Sequence, residues 1–295
     1  MKPQRPTTLP LQKELLAWTM SQLFSGSLVS RLFSKSRPSI PPALLDHVIN
    51  FLSEKLPQPF ERALDVGCGT GLSTVKLAPW FGHVIGIDTS QSQIEEAQKA
   101  NSHDHVEYKV GGAANLPGSS SSVDLIFCCQ SLHWFDLDQF FKECSRILRP
   151  GGVLATCGYG LCKLESQSAN DESNKTINDI LSKLHYEVLW EGGYWEKERQ
   201  IVDRQYSDVK LPYEEQMAIK NDPSLYFERS MTLDLLVDYI GTWSGLRAYR
   251  KQNPEHDILL EYKEKFLDAI GETCASAAVL SVKFPWFLLM SRKPI

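Results

Sequence analysis

Two kinds of apolar spacing alternate along the chain. Short, nearly unbroken apolar runs fall at 63–66, 84–87, 106–110, 123–129 and 153–159. Between most of them, apolar residues return every three or four positions. The runs read as strands buried on both faces, and the intervening stretches as helices laid against them. Ala43 to Leu56 puts Leu44, Leu45, Val48, Ile49 and Leu52 on one face. Leu72 to Trp80 and Ser90 to Ala100 are the next helices, the latter with Ser90 as N-cap. Asp136 caps a helix over Leu137 to Leu148, and Arg149-Pro150-Gly151-Gly152 ends it. The order strand, helix, strand predicts an α/β fold around a mostly parallel sheet.

Beyond residue 160 the pattern becomes mainly helical. Helices are expected over 173–190, Leu225 to Tyr249 and Ile258 to Ile270, with a strand over Ile201 to Leu211 and a last strand over Phe284 to Met290. At the other end, Leu11 to Phe24 carries a helical stripe, and the prolines at 38, 41 and 42 force an extended entry to the first core helix. The organisation expected is an N-terminal segment, 1–40, packing near the binding crevice, and a domain of residues 41–295 with an insert of about 212–275 lying over it.

Composition narrows the class. The chain has 295 residues, 42% hydrophobic and 23% charged, as in globular proteins. A net charge of −5 gives no footprint for general nucleic-acid binding. No apolar run reaches bilayer-spanning length, so no integral membrane segment is expected. Seven cysteines without C-x-x-C spacing point to free thiols in a reducing, cytoplasmic compartment. Residues 1–38 are basic and rich in Ser and Thr, as in a mitochondrial transit peptide, but the packed-helix reading is favoured. Oligomeric state is not readable.

The candidate chemistry begins at Ala63-Leu64-Asp65-Val66-Gly67-Cys68-Gly69-Thr70-Gly71. A buried strand runs into a loop of three alternating glycines and then a helix, the unit that brings bare backbone against a ligand. Leu72 stands where a dinucleotide fingerprint would have its last Gly, and an acid lies two residues before the first Gly. A second acid, Asp88, ends the next strand about twenty residues on, where it can accept from ribose hydroxyls. His133 and Trp134 follow a central strand, so they belong at the carboxyl ends of the strands, where open α/β sheets bind ligands. His103-Asp104-His105 reads as a solvated loop and no metal site is expected.

The glycine loop with its two acids resembles the class I S-adenosylmethionine-dependent methyltransferases. Leu148-Arg149-Pro150-Gly151-Gly152 is similar to another landmark of that family, and Ser131-Leu132-His133-Trp134-Phe135, Arg37-Pro38 and Tyr239-Ile240-Gly241-Thr242-Trp243-Ser244 are similar to signatures of its trans-aconitate methyltransferase-like (type 11) group. The chain departs from that group at Phe33 and Ile40, where Tyr is usual, and at Gly112, where an Asp usually bonds the adenine amine.

The resemblance implies a seven-stranded Rossmann-like sheet, mostly parallel with an antiparallel last strand, plus a helical lid insert. It implies S-adenosyl-L-methionine as cofactor, held by Asp65, Gly67, Cys68, Gly69, Gly71, Asp88, Thr89, Gly112, Ala113 and Gln130. Arg37 approaches a carboxylate of cofactor or substrate, or is a solvated linker residue. His133 is the candidate base or a hydrogen-bonding group, with a structural role equally open, and His133, Trp134, Trp243 and Arg247 are the candidate substrate contacts. A small-molecule substrate methylated on a carboxylate oxygen is the leading reading. N- or C-methylation of a larger apolar acceptor such as a lipid or quinone, and a non-catalytic cofactor-binding relative, stand beside it.

Overall fold

The computed structural model describes residues 37–166 and 169–295. The expectations for the helix Leu11 to Phe24 and for position 33 lie outside those residues. From residue 42 the order is α1 (Pro42–Ser53), β1 (Phe60–Val66), α2 (Thr74–Leu77), β2 (Phe81–Asp88), α3 (Gln91–Ala100), β3 (Val106–Val110), β4 (Val123–Cys129), α4 (Leu137–Ile147) and β5 (Leu148–Tyr159). Then come β6 (Lys163–Ser166), α5 (Asp171–Ser182), a π-helix (Lys183–Glu191), α6 (Gln200–Asp203), β7 (Glu215–Ile219), β8 (Tyr226–Thr232), α7 (Leu233–Gly241), α8 (Ser244–Gln252), α9 (Ile258–Ile270) and β9 (Val279–Arg292).

Five parallel strands lie in the order β3-β2-β1-β4-β5, and β9 closes the row antiparallel to β5. Leu64, Leu125, Ile126 and Phe127 are fully buried, so the central strands are apolar on both faces because helices cover both. The sheet has nine strands among the described residues where seven were expected. The extra pairing comes from β9, which is 14 residues long. Its second half pairs with β5 and β7, and its first half with β6 and β8.

Local chemistry explains most boundaries. Asp136 Oδ1 accepts from Gln139 N at 3.5 Å at the start of α4. Asp257 caps α9, which ends at Gly271 with φ 72°. Pro79 cuts the expected helix Leu72 to Trp80 to α2 and a 3₁₀ turn, Ala78–Trp80. Buried Asp124 holds the backbone N–H groups of Glu61 and Arg62 at 2.7 and 2.8 Å and pairs with Arg149 at 3.0 Å. Arg292, almost wholly buried, pairs with Glu54 and Glu215 at 2.6 and 2.8 Å and donates to Phe51 O, tying α1 and β7 to β9.

The second half corrects the expected elements. Ile201 to Leu211 is not a strand: α6 and turns occupy it, because Val202 and Tyr206 bury at helical spacing. The strand beside that half of β9 is Glu215–Ile219, too polar to announce itself. Leu225 to Tyr249 is not one helix either. Tyr226–Thr232 is a strand, Thr232 then accepts from Leu235 N to cap α7, and a break at Thr242 precedes α8. The 212–275 region therefore holds two strands as well as three helices. Among the described residues no helix is long and apolar enough to cross a membrane.

Candidate functional site

The site is built at the carboxyl ends of β1, β2, β4 and β5. Gly67, Gly69 and Gly71 all have positive φ, at 73°, 55° and 82°. The reasons differ. A Cβ on Gly67 would lie 2.4 Å from Ser131 Cβ, and one on Gly71 would lie 2.4 Å from the Tyr108 hydroxyl. These two glycines are pressed against protein. At Gly69 the nearest neighbour of such a Cβ is Gln93 Oε1 at 3.8 Å, so bare backbone there borders open space. The loop is anchored by Gly67 N and Cys68 N, which both donate to Ile87 O at 2.7 and 3.0 Å.

The two acids divide the work. Asp65 is wholly buried beneath the loop, where Oδ2 accepts from Ser73 Oγ and Thr74 Oγ1, both at 2.6 Å. Burial pushes its pKa up to about 6 against the pull of those two hydroxyls. Oδ1 has no hydrogen-bond partner among the described residues. Asp88 lies higher, at the tip of β2. Its Oδ2 accepts from Gly69 N at 2.9 Å and its Oδ1 from Ser90 N at 2.8 Å. Burial raises its pKa, and the N–H groups of Ser90, Gly69 and Thr89 oppose the rise. Each oxygen keeps a lone pair for a further donor.

Thr89 and Gly112 stand together at the tips of β2 and β3. Gly111 N donates to Asp88 O at 3.0 Å, and among the described residues a Cβ on Gly112 would meet only Thr89 Cγ2, at 3.9 Å. The absence of an Asp side chain at 112 leaves that space open. Ala113 packs on the sheet's second core. Cys68 is buried, and burial pushes its thiol pKa up, so it is a neutral filler of the loop. Gln130, at φ 54°, turns its amide back to donate to Tyr159 O at 2.8 Å.

The β4 tip carries His133 and Trp134. His133 is buried, and its Nδ1 lies 3.0 Å from the Tyr206 hydroxyl. Burial and the charge of Arg199 hold its pKa well below the usual histidine value. Trp134 is half-buried beside it, ring centroids 4.5 Å apart. Arg37 joins the sheet to the insert: Nη1 donates to the Tyr159 hydroxyl at 2.8 Å and Nη2 to Thr242 O at 3.5 Å. Trp243 is buried next to that carbonyl. Arg247 follows on α8, its pKa lowered by burial and by the Arg37 charge, with Glu196 opposing. His105 Nε2 lies 3.0 Å from Ala78 O, which ties that loop to the end of the α2 turn.

Several participants are invisible in the motifs. Ser131 Oγ donates to Val66 O at 2.7 Å and locks the β4 tip to the β1 tip. Tyr108 pairs in register with Gly86 and fills the space above it. A strand glycine opposite an aromatic was a readable signal for that contact. Tyr206 and Tyr159 offered none, since their partners lie 73 and 122 residues away.

Residues 64–156 match the family described as a methyltransferase domain. Similarity extends much further in single relatives. A protein of Dictyostelium discoideum named as a methyltransferase is 33% identical over 260 residues, covering 88% of this chain and 93% of its own. The chain belongs to the class I S-adenosylmethionine-dependent methyltransferases. A Saccharomyces cerevisiae protein named as an S-adenosylmethionine-dependent methyltransferase is 24% identical, covering 88% of this chain and 94% of its own. A solved type II methyltransferase from Anaeromyxobacter dehalogenans superposes with a TM-score of 0.69 at 30% identity, covering 88% of this chain and 99% of that one. S-adenosyl-L-methionine is therefore the methyltransferase's cofactor. The chain's own residues fit it: open space beside Gly69 and Gly112, spare lone pairs on Asp88, and an unpartnered Oδ1 on Asp65.

Proposed function

We propose that this methyltransferase acts on a carboxylate oxygen of a small molecule, bound between the strand tips and the insert over residues 160–278. The observation that carries the reading is the approach of Arg37 and Arg247. Both residues are half-buried and meet at one turn: Arg37 donates to Thr242 O and lies over the buried Tyr239 ring at 5.8 Å, and Arg247 N donates to the O of buried Trp243 at 3.1 Å. A guanidinium takes a carboxylate in bidentate fashion, and two of them beside an aromatic wall suit a small acid.

On this reading the cofactor lies along the tips of β1 to β4. Gly67, Cys68, Gly69 and Gly71 shape its cradle, Asp65 supports the cradle from below, and Asp88 accepts from the ribose. Thr89, Gly112 and Ala113 border the adenine. Gln130 sets the end of β5, and segment 1–40 contributes Arg37. The remaining residues, 41–295, work as one catalytic domain. The seven free cysteines favour a reducing, cytoplasmic compartment.

The bound cofactor supplies an electrophilic methyl group on a sulfonium. The chain's part is to bring an oxygen into line with that methyl, to strip water from it and to hold it there. A carboxylate is already ionised at neutral pH and requires no base. His133 suits that requirement: neutral, half its hydrogen bonding taken by Tyr206, it is assigned as a positioning group rather than a proton acceptor. Trp134 and Trp243 wall the acceptor.

The run of rings from Trp243 through Tyr239 and Phe284 to Tyr159 supports a second reading, an apolar acceptor methylated on nitrogen or carbon. One screen separates the two. Transfer of tritiated methyl is measured to small di- and tricarboxylates, amines, phenols and a quinol. A base-labile labelled ester, lost in Arg247→Met, is the expected product. Transfer confined to amines, or to the quinol, would defeat the carboxylate reading.

A further inference from the structure

His185 is used by nothing described so far. It is 1% exposed, and among the described residues neither ring nitrogen has a hydrogen-bond partner. A buried imidazole in that state is costly, because each unsatisfied polar atom has given up its water. Yet its surroundings are closely made. Its ring is bordered by Tyr186, Trp195 and Trp243, at centroid distances of 4.5, 5.2 and 5.4 Å. Its backbone carbonyl accepts from Trp195 Nε1 at 3.1 Å, so Trp195 is pinned while the imidazole is not.

The backbone around it is also unusual. His185 lies in the π-helix Lys183–Glu191, a rare conformation that recurs at functional sites. That segment packs on α8, which carries Arg247. The turn Lys197–Arg199 packs on the turn Leu132–Trp134. Arg199 lies over the Trp195 ring at 4.5 Å, Trp195 borders His185, and the Arg199 charge acts on both His185 and His133. Trp243 is one residue from the carbonyl that Arg37 holds. A run of ring contacts leads from His185 through Trp243 to Tyr239, over which the Arg37 guanidinium lies at 5.8 Å, so His185 joins the aromatic wall beside that group.

We propose that His185 is a substrate-contacting residue whose unpartnered ring nitrogens hydrogen-bond an uncharged polar group of the methyl acceptor, a hydroxyl near the reacting carboxylate. The substrate class is accordingly a hydroxylated carboxylic acid, an inference that rests on the carboxylate reading. A neutral imidazole has one donor and one acceptor edge, and a hydroxyl is the smallest group that can meet either. The neutral form is secured here: burial and the Arg199 charge press the pKa down to about 3. An acceptor lacking the hydroxyl leaves the imidazole unsatisfied, which is how such sites discriminate.

The test uses the full chain and two variants. His185→Phe keeps the ring and deletes both nitrogens, and His185→Gln restores a donor and an acceptor. Melting without acceptor comes first. His185→Phe is expected to melt at or above the parent temperature, because a buried unsatisfied group is removed. Both variants melting about 4 °C or more below the parent would make His185 a packing residue and overturn the proposal. Methyl transfer is then measured to dicarboxylates with and without a hydroxyl at the adjacent carbon. The parent should favour the hydroxylated member roughly 10- to 100-fold in kcat/KM, His185→Phe should lose that preference, and His185→Gln should regain part of it. An equal preference in parent and His185→Phe would overturn it. No transfer to any carboxylate would end the carboxylate reading and the hydroxyl preference with it, while melting still decides whether His185 is held for packing.

Discussion

The Nδ1 of His133 and the hydroxyl of Tyr206 lie 3.0 Å apart in a region closed to solvent. Tyr206→Phe deletes one partner and strands the other. A loss of about 1–3 kcal/mol in unfolding free energy is expected, read by urea denaturation. Calorimetric affinity for S-adenosylhomocysteine should not change, because Tyr206 bonds His133 and not the glycine loop or Asp88. Unchanged stability would show that His133 finds another partner.

Gly67 and Gly69 share a motif and a backbone conformation, but their substitution should have different consequences. Gly67→Ala drives a Cβ into Ser131 and breaks the lock between β1 and β4. It should lower the melting temperature by several degrees. Gly69→Val pushes side-chain atoms into open space, with Gln93 Oε1 the nearest contact of the new Cβ among the described residues, at 3.8 Å. It carries the strain of φ 55° but should mainly abolish cofactor binding. Paired melting and calorimetry on both variants checks the contrast.

Asp88 holds the loop through Gly69 N and starts α3 through Ser90 N. Asp88→Ala is expected to weaken S-adenosylhomocysteine binding roughly 10- to 100-fold, the scale of a lost hydrogen bond to a charged group. Far-ultraviolet circular dichroism should be that of the parent. Undiminished affinity in calorimetry would remove Asp88 from the cofactor site.

Stability should fall in acid, and His185 makes part of that fall. Its folded pKa of about 3 lies below the 6.5 of the unfolded chain, so between those values only the unfolded chain binds the proton. Stability is therefore lost as pH drops below 6.5, at about 1.4 kcal/mol per unit for this group. His133 acts in the same direction. Asp65 acts against them: its folded pKa of about 6 lies above 3.8, so falling pH through that window favours the folded chain. Subtracting the His185→Phe curve isolates one histidine. Between pH 7 and pH 5 the parent should lose about 2 kcal/mol more than the variant, measured by urea denaturation at each pH.

What could be read from the chain was what lies close in sequence. Gly69 and Asp88 are 19 residues apart within one strand-loop-helix-strand unit, and their meeting followed from the motif. Val123–Cys129 declared itself as a central strand because both its faces are buried. Glu215–Ile219 did not, since an edge strand with exposed alternate positions carries no apolar run. Its place is set by β9, about seventy residues later. His185 was illegible for a related reason: its importance lies in what it fails to touch, and a pattern of residue types holds no record of that.

The backbone of Gly160 donates to Pro285 O at 3.1 Å, and Tyr159 sits opposite Trp286. The cover thus leaves and rejoins the cofactor sheet at one doorway, and between those points it returns to the sheet through β7, against the second half of β9. A different cover could be spliced in between these two points without retying any of the five parallel strands. Exchange of that one segment is a route by which the same methyl-donating base could be handed new acceptors, and chimeras joined there would retrace it.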